Sequence, residues 1–165
     1  MPSACYLLNS GNYATKHNPF IYYQDIVGNS SLCKSHVVPY SQLSIDLKSA
    51  ATTPNFAFIT PNLCNDMHNC GLAAGDSWLA ANVPAILNSP AFTKSPSLLV
   101  ITWDEGNASN NQVATIFAGN DARVGYQSNV AYNHYSLLHT IERLWDLPSL
   151  TSNDKNASLM TSMLR

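Results

Sequence analysis

The amino-acid sequence predicts an α/β fold with a mixed, mostly parallel sheet and flanking helices. Three observations lead to this prediction. Short, continuous apolar runs bounded by turn residues are typical of buried strands. Segments with helical periodicity lie between and after those runs. The 165 residues, 45% of them hydrophobic, suffice for one domain with a sizeable core. We therefore expect a single domain over residues 1–165.

Three segments are predicted strands: residues 53–60 (TPNFAFIT), 97–103 (SLLVITW) and 112–119 (QVATIFAG). A predicted helix lies between the first two, which favours a crossover connection and parallel pairing. The connection from the second predicted strand to the third is too short to contain a crossover helix. We therefore expect the third strand to run antiparallel to the second.

Capping residues and prolines indicate where the helices begin and end. A short helix is predicted from Asn18, followed by proline, to Gly28. A second helix is predicted from Ser41, with that serine as its cap. A third covers residues 75–90, with Asp76 as its N-cap and Pro84 expected to kink or divide it.

The last predicted helix covers residues 132–148 and is followed by a segment of weak periodicity, residues 151–165, which we expect to be loosely held. The apolar residues of this predicted helix share one helical stripe and predict that it has a buried face. They are Leu137, Leu138, Ile141, Leu144 and Trp145.

Four cysteines, Cys5, Cys33, Cys64 and Cys70, permit three disulfide pairings. Cys64 and Cys70 are near enough in sequence to close one loop, and Cys5 with Cys33 would then hold the N-terminal segment. Four buried thiols are the alternative. An even cysteine count and few charged residues favour an extracytoplasmic or secreted protein.

The charge and hydropathy of the chain exclude several classes of partner. A net charge of -2 and scattered basic residues give no general attraction to nucleic acid. No apolar run reaches the roughly 20 residues needed for a transmembrane segment. The first 20 residues lack the cationic start and apolar stretch of a signal peptide.

Acidic and histidine side chains follow two of the predicted strands. Asp104 and Glu105 come directly after residues 97–103, and Asp66 and His68 lie in the loop after the first strand. Ligands of α/β sheets bind beyond the carboxyl ends of the strands. We therefore expect these four side chains to converge, with a divalent metal ion relieving the repulsion between the carboxylates.

Five stretches in this order resemble the phosphoesterase family that includes bacterial acid phosphatases and phospholipase C enzymes, in the alkaline-phosphatase-like superfamily. They are KHNPFIYY at 16–23, TPNLCNDMHNC at 60–70, GDSWLAANVPAILNSPAF at 75–92, LLVITWDEG at 98–106 and YNHYSLLHTIERLW at 132–145. The resemblance implies an alkaline-phosphatase-like enzyme that hydrolyses phosphate esters with a bound divalent metal. Its substrate would be a small phosphate ester or a phospholipid headgroup.

The resemblance also implies roles for particular residues. Asp104 and Glu105 match the family's carboxylate metal ligands, and His17 and His68 match the histidines that face the phosphoryl group. Asp66 would orient His68. Histidine titrates near neutrality and suits proton transfer to a leaving oxygen. A purely structural role remains open for His17, which would close a turn.

Only the C-terminal part of a family domain is matched. The family's serine or threonine nucleophile and its N-terminal acidic-plus-amide metal pair have no counterpart here. Three possibilities follow: an inactive fragment, a metal-bound water as nucleophile, or a site completed by a missing N-terminal segment or by another chain in an oligomer.

Two other functions compete with this one. Residues 75–79, GDSWL, are similar to the start of certain serine esterases, with Ser77 as nucleophile. The G-x-S-x-G elbow of many such enzymes is absent. The other possibility is a non-catalytic, disulfide-stapled binding module that uses its tryptophans and tyrosines for contacts.

Overall fold

The computed structural model describes residues 1–106 and 109–165. The chain divides into two units, Met1–Ser95 and Pro96–Arg165. Helices occur together with a small sheet, which confirms the α/β character of the chain. A single domain over the whole chain stays a prediction.

The first unit is helical in its regular structure. Its α-helices are α1 (Gln24–Val27), α2 (Ser30–His36), α3 (Leu43–Asp46), α4 (Leu72–Leu87) and α5 (Pro90–Lys94). Short 3-10 helices cover Thr15–His17, Pro19–Tyr22 and Tyr40–Gln42. Because α4 alone among them is longer than about two turns, loops and cross-links hold much of this unit together.

The helix predicted from Asn18 to Gly28 is present in two pieces. The extended backbone of Tyr23, with φ −87° and ψ 119°, separates the 3-10 helix from α1. Gly28 follows the last residue of α1, as predicted.

The predicted cap at Ser41 is wrong, because Ser41 lies inside a 3-10 turn and α3 begins two residues later. The sequence analysis also missed α2. Asn29 caps α2 by accepting a hydrogen bond from the backbone N–H of Leu32 at 3.1 Å. Asparagine before a helical segment is a common start signal that was available in the sequence.

Helix α4 begins one turn earlier than predicted. Gly71 is its N-cap residue, so Asp76 lies within the helix and is not the cap. Pro84 does not divide α4, which continues to Leu87. The hydroxyl of Tyr40 donates to Asn82 on this helix at 2.8 Å, and burial raises the pKa of the Tyr40 phenol.

The strand predicted at residues 53–60 is wrong, because this segment has no strand structure. A strand requires a neighbouring backbone to pair with, and the paired strands of the described residues lie in the second unit. Phe58 is instead half exposed and packs edge-on against Phe20, with the ring centroids 5.5 Å apart. The parallel pairing expected for this segment is therefore not confirmed.

The second unit contains a two-stranded sheet. Strands β1 (Leu99–Thr102) and β2 (Thr115–Ala118) pair antiparallel, with Leu99 opposite Ala118. This confirms the antiparallel direction predicted for the third strand. The β-branched residues of both strands suit a pleated ladder.

Helix α6 (His134–Leu144) begins at the capping box formed by Asn133 and Ser136. The predicted apolar stripe is only partly correct, because Leu144 and Trp145 are about half exposed. Ser136, Thr140 and Glu142 are buried instead. Among the described residues no hydrogen-bond partner faces the carboxylate oxygens of Glu142, an arrangement that costs stability.

The C-terminal segment is not loosely held, contrary to the prediction. Helix α7 (Ser152–Lys155) has a capping box between Thr151 and Asp154, and Asp154 is fully buried. The backbone N–H of buried Met160 donates to the hydroxyl of Thr140 on α6 at 2.9 Å. The weak hydrophobic periodicity of this segment did not indicate its order, because polar contacts hold it in place.

Two disulfides cross-link the first unit, Cys5–Cys33 and Cys64–Cys70. The sequence left three pairings open, and the structure has the one that joins Cys64 to Cys70, so the alternative of four thiols is wrong. None of the helices in the described residues combines the length and apolar character needed to cross a bilayer.

Replacing Asp154 with asparagine is expected to lower the thermal stability of the chain. Burial raises the pKa of Asp154, but hydrogen bonds from the Thr151 hydroxyl and from the backbone N–H groups of Thr151 and Leu150 lower it more, to about 2. The carboxylate therefore contributes stability above its ordinary pKa of about 4, and this contribution is lost as pH falls through about 2.

Thermal unfolding followed by circular dichroism checks this prediction. We expect Asp154→Asn to lower Tm at neutral pH, and the difference from wild type to shrink in acid. Asp146→Asn is the matched control, because the Asp146 side chain is fully exposed and asparagine tolerates its φ of 52°. An equal Tm for wild type and Asp154→Asn at neutral pH would contradict the assignment.

Candidate functional site

Asp66 joins two histidines that are distant from each other in sequence. Its Oδ2 lies 3.0 Å from Nδ1 of His17, and its Oδ1 accepts the backbone N–H of His68 at 2.9 Å. The side chains of Asp66 and His17 are 15% and 25% exposed, so solvent only partly screens their contact. The structure thus brings together His17, Asp66 and His68, which the sequence analysis selected. We refer to these three residues, with Lys16 and Asn69, as the histidine cluster.

His17 ends the 3-10 helix Thr15–His17, and its neighbours explain why the chain turns there. Asn18 precedes a proline and has the extended backbone that this position favours, with φ −119° and ψ 90°. At the start of the turn, Asn9 accepts hydrogen bonds from the N–H and the hydroxyl of Thr15, both at 2.9 Å.

The loop that carries Asp66 and His68 is closed covalently and by hydrogen bonds. The disulfide Cys64–Cys70 spans it, and the side chain of Asn62 accepts the backbone N–H groups of Cys64 and Asn65, each at 3.1 Å. The N–H of Asp66 donates to the carbonyl oxygen of Asn62 at 2.8 Å. These contacts leave the backbone around Asp66 little freedom.

Met67 anchors the same loop to helix α4. Its backbone is in the left-handed region, with φ 74°, a conformation that a non-glycine residue rarely adopts. Its side chain occupies the space beside Gly75, where a Cβ atom would lie 2.5 to 2.8 Å from the Met67 side chain. Because Gly75 has no side chain, Met67 can pack against α4 at this position. Met67 lies between Asp66 and His68 in sequence, so this packing also holds those two residues near the helix.

The ring of His68 has other partners than Asp66. Its Nδ1 lies 2.8 Å from Oδ1 of Asn69, and its Nε2 lies 3.3 Å from Nζ of Lys16. The rings of His17 and His68 meet edge to face, with their centroids 5.4 Å apart. Asp66 therefore contacts His68 through the backbone N–H of that residue. The imidazole ring that Asp66 contacts is that of His17.

Sequence reasoning missed four residues of this region: Lys16, Met67, Asn69 and Gly75. Lys16 precedes His17 and Asn69 follows His68 in the sequence. Their position next to a candidate histidine was the signal that could have identified them as part of the site. No pattern in the sequence indicated that Met67 packs at Gly75.

Asp104 and Glu105 follow strand β1 in the second unit, and both are exposed. Nε2 of His134, at the start of α6, lies 2.8 Å from the backbone carbonyl oxygen of Asp104, so His134 contacts this loop. Across residues 1–106 and 109–165, no group of three or more histidine, cysteine or acidic side chains could hold a metal ion. The convergence of these carboxylates with the histidine cluster stays a prediction.

Ser77 lies in the second turn of α4 and is exposed. It therefore occupies a regular helix and not the sharp strand-to-helix turn of a nucleophile elbow. Gly75 of the same GDSWL stretch has a packing role beside Met67. The esterase interpretation gains no support from this geometry.

Replacing Gly75 with alanine is expected to displace Met67 and to loosen the contact between His17 and Asp66. The atoms that a Cβ would meet all belong to the flexible Met67 side chain, so we expect that side chain to shift and the backbone of α4 to stay in place. The measurement is the imidazole N–H signal of His17 in proton NMR, which we expect to broaden or disappear in Gly75→Ala. Gly71→Ala is the matched control, because a Cβ there meets no atom within 4 Å. An unchanged signal in Gly75→Ala would disprove the role given to Met67.

Comparisons with known proteins agree with the resemblance in the sequence. Residues 3–148 match the sequence model of the Phosphoesterase family. The chain is 34% identical, over 156 residues, to a phosphatidylinositol-3-phosphatase of Mycobacterium tuberculosis, with 94% of this chain and 48% of the relative covered. An acid phosphatase of Aspergillus fumigatus is 29% identical over 154 residues, with 90% and 34% covered.

The chain therefore spans about half the length, or less, of these curated relatives. Since the family match covers most of the residues in this chain, the assignment does not depend on one short motif. The chain belongs to the phosphoesterase family.

Proposed function

We propose that this chain hydrolyses phosphate esters, with the histidine cluster at the phosphoryl group. The contact of Asp66 with both His17 and His68 is the observation that supports this most strongly. Relatives named acid phosphatase and phosphatidylinositol-3-phosphatase support the same reaction class. The proposed substrate is a small phosphate ester or a phospholipid headgroup.

The chemistry of His17 follows from its contact with Asp66. A carboxylate only accepts hydrogen bonds, so Nδ1 of His17 must carry a proton and donate this hydrogen bond to Asp66. Nε2 of His17 is then the nitrogen available to a substrate. With a second proton on Nε2, this ring would protonate the leaving oxygen of a phosphate ester while water, or a nucleophile from a segment or second chain that completes the site, attacks phosphorus.

We also propose that Asp104 and Glu105 bind a divalent cation. Carboxylate oxygens are suitable ligands for hard divalent ions. The type of donor therefore fits, but the number does not, because two carboxylates bind a cation weakly. The described residues add no histidine, cysteine or further acidic side chain that would make a group of three. We assign no catalytic step to the cation. Its other ligands would come from water, from the substrate, or from a segment or second chain that completes the site.

We further propose that the fold is alkaline-phosphatase-like, with a mixed, mostly parallel sheet. Activity of the phospholipase C type is part of the same proposal. So is an extracytoplasmic or secreted location, which the disulfides Cys5–Cys33 and Cys64–Cys70 support. Disulfides persist in oxidising compartments and are rare in the cytosol.

Asp66→Asn is expected to reduce kcat/KM for p-nitrophenyl phosphate by about a hundredfold to ten-thousandfold, since the His17 ring loses its carboxylate partner. Steady-state kinetics with the whole chain provides the measurement. Asp76→Asn, an exposed site on α4, is the control that should keep wild-type activity. Hydrolysis of p-nitrophenyl acetate that depends on Ser77, without turnover of the phosphate ester, would favour the esterase instead.

Metal dependence has its own test. We expect a chelator to reduce phosphate-ester hydrolysis at least about tenfold and a divalent cation to restore it, because a metal-dependent hydrolase loses its rate when the cation is removed. Asp104→Asn should weaken the response to added cation, whereas exposed Asp146→Asn should not. Full activity in chelator would contradict a metal site at Asp104 and Glu105.

A further inference from the structure

The Lys16 ammonium lies beside the His68 ring, and the proposed function gives it no role. Nζ of Lys16 is 3.3 Å from Nε2 of His68, across 52 residues of sequence. We propose that Lys16 is a phosphate-binding residue of the histidine cluster and that it fixes the tautomer of His68. This inference rests on the proposed function for its biological meaning, but not for its test.

The hydrogen-bond partners of His68 determine where its proton lies. A lysine ammonium can only donate hydrogen bonds, so Nε2 of His68 must accept from Lys16 and carries no proton. The proton of the neutral ring is then on Nδ1, which donates to Oδ1 of Asn69 at 2.8 Å. Lys16 and Asn69 therefore select the same tautomer from opposite sides of the ring.

The two histidines consequently meet charges of opposite sign. His17 donates a hydrogen bond from Nδ1 to the negatively charged Asp66 carboxylate. His68 accepts from the Lys16 ammonium, an arrangement that requires an unprotonated Nε2. The cluster thus contains one ring that donates a hydrogen bond to an anion and another that accepts one from a cation.

The charge balance of the cluster leaves Lys16 available to an anion. Asp66 contributes the carboxylate, and its two oxygens are already engaged by His17 and His68. Within the described part of the chain, no acidic group forms an ion pair with Lys16. The ammonium is also exposed, so a ligand can reach it. A phosphate oxygen would give Lys16 a hydrogen bond in which both partners are charged, whereas in its bond to the imidazole only the ammonium is charged.

A phosphate bound in this way would involve both histidines. Because Lys16 is next to His17 in sequence and contacts the ring of His68, its ammonium can follow an anion that binds beside the two rings. Movement of the ammonium to the anion would release Nε2 of His68 to accept a proton. Lys16 would thereby favour anionic phosphate groups over uncharged esters of similar size.

Binding of inorganic phosphate to the whole chain tests this proposal without any turnover. We expect Lys16→Gln to weaken phosphate binding about tenfold to a hundredfold by calorimetry, because a charged hydrogen bond is lost. Lys16→Arg should recover most of the affinity. Lys94→Gln is the matched control, since Lys94 is exposed in the last turn of α5 and does not belong to the cluster.

The tautomer of His68 gives a second readout, which a merely structural lysine would not change. Imidazole nitrogen chemical shifts in the wild-type chain at mildly alkaline pH should report a proton on Nδ1 and none on Nε2. In Lys16→Gln the two tautomers should become mixed. Wild-type shifts in that variant would overturn the tautomer assignment.

The outcomes separate this inference from the proposed function. Equal phosphate affinity in wild type and Lys16→Gln would overturn the role of Lys16, even if Asp66→Asn abolishes ester hydrolysis. The absence of wild-type phosphate binding at millimolar concentrations would overturn it as well. Weakened binding in Lys16→Gln, in a chain that hydrolyses no phosphate ester, would support Lys16 as an anion-binding residue and count against the hydrolase.

Discussion

The Asp66 carboxylate is the group on which the arrangement of the histidine cluster depends. One of its oxygens accepts from the ring of His17 and the other from the backbone of His68, so a single side chain positions two segments that are 49 residues apart. A carboxylate suits this task because its two oxygens can each accept strong hydrogen bonds in one plane. Any factor that moves Asp66 must also change the relation between the two rings.

Three different kinds of interaction fix the loop around Asp66. The disulfide Cys64–Cys70 limits the separation of the loop's ends, the Asn62 side chain organises its first turn, and Met67 attaches it to α4. A loop of this length without such restraints would sample many conformations, and ordering it would cost about 1–2 kcal/mol per residue. The restraints act in the folded chain before any ligand arrives, which favours a preorganised site.

Those features that depend on short-range chemistry could be predicted from the sequence. The spacing of Cys64 and Cys70, the apolar run of β1 and the short step to β2 each carry their signal within a few residues. His17, Asp66 and His68 were recognised through short motifs, and the structure brings them together. Asp104 and Glu105 belong to the other unit of the chain, so short-range sequence signals do not determine whether they approach the histidine cluster.

The remaining errors arose where distant contacts decide the outcome. Residues 53–60 have strand-like composition, but composition does not supply a partner strand. Asp154 is buried because backbone N–H groups surround it, and no hydrophobic pattern reports such burial. Lys16 contacts His68 across 52 residues, a separation at which spacing rules carry no information.

The packing of Met67 against Gly75 has a chemical consequence for the site. A thioether is open to oxidation, and the resulting sulfoxide is bulkier and more polar than the original side chain. The space beside Gly75 is filled by the Met67 side chain, so an added oxygen would push the loop away from α4. In an oxidising compartment, oxidation of Met67 by peroxide would therefore displace the neighbouring Asp66 and His68, and only a sulfoxide reductase would reverse it.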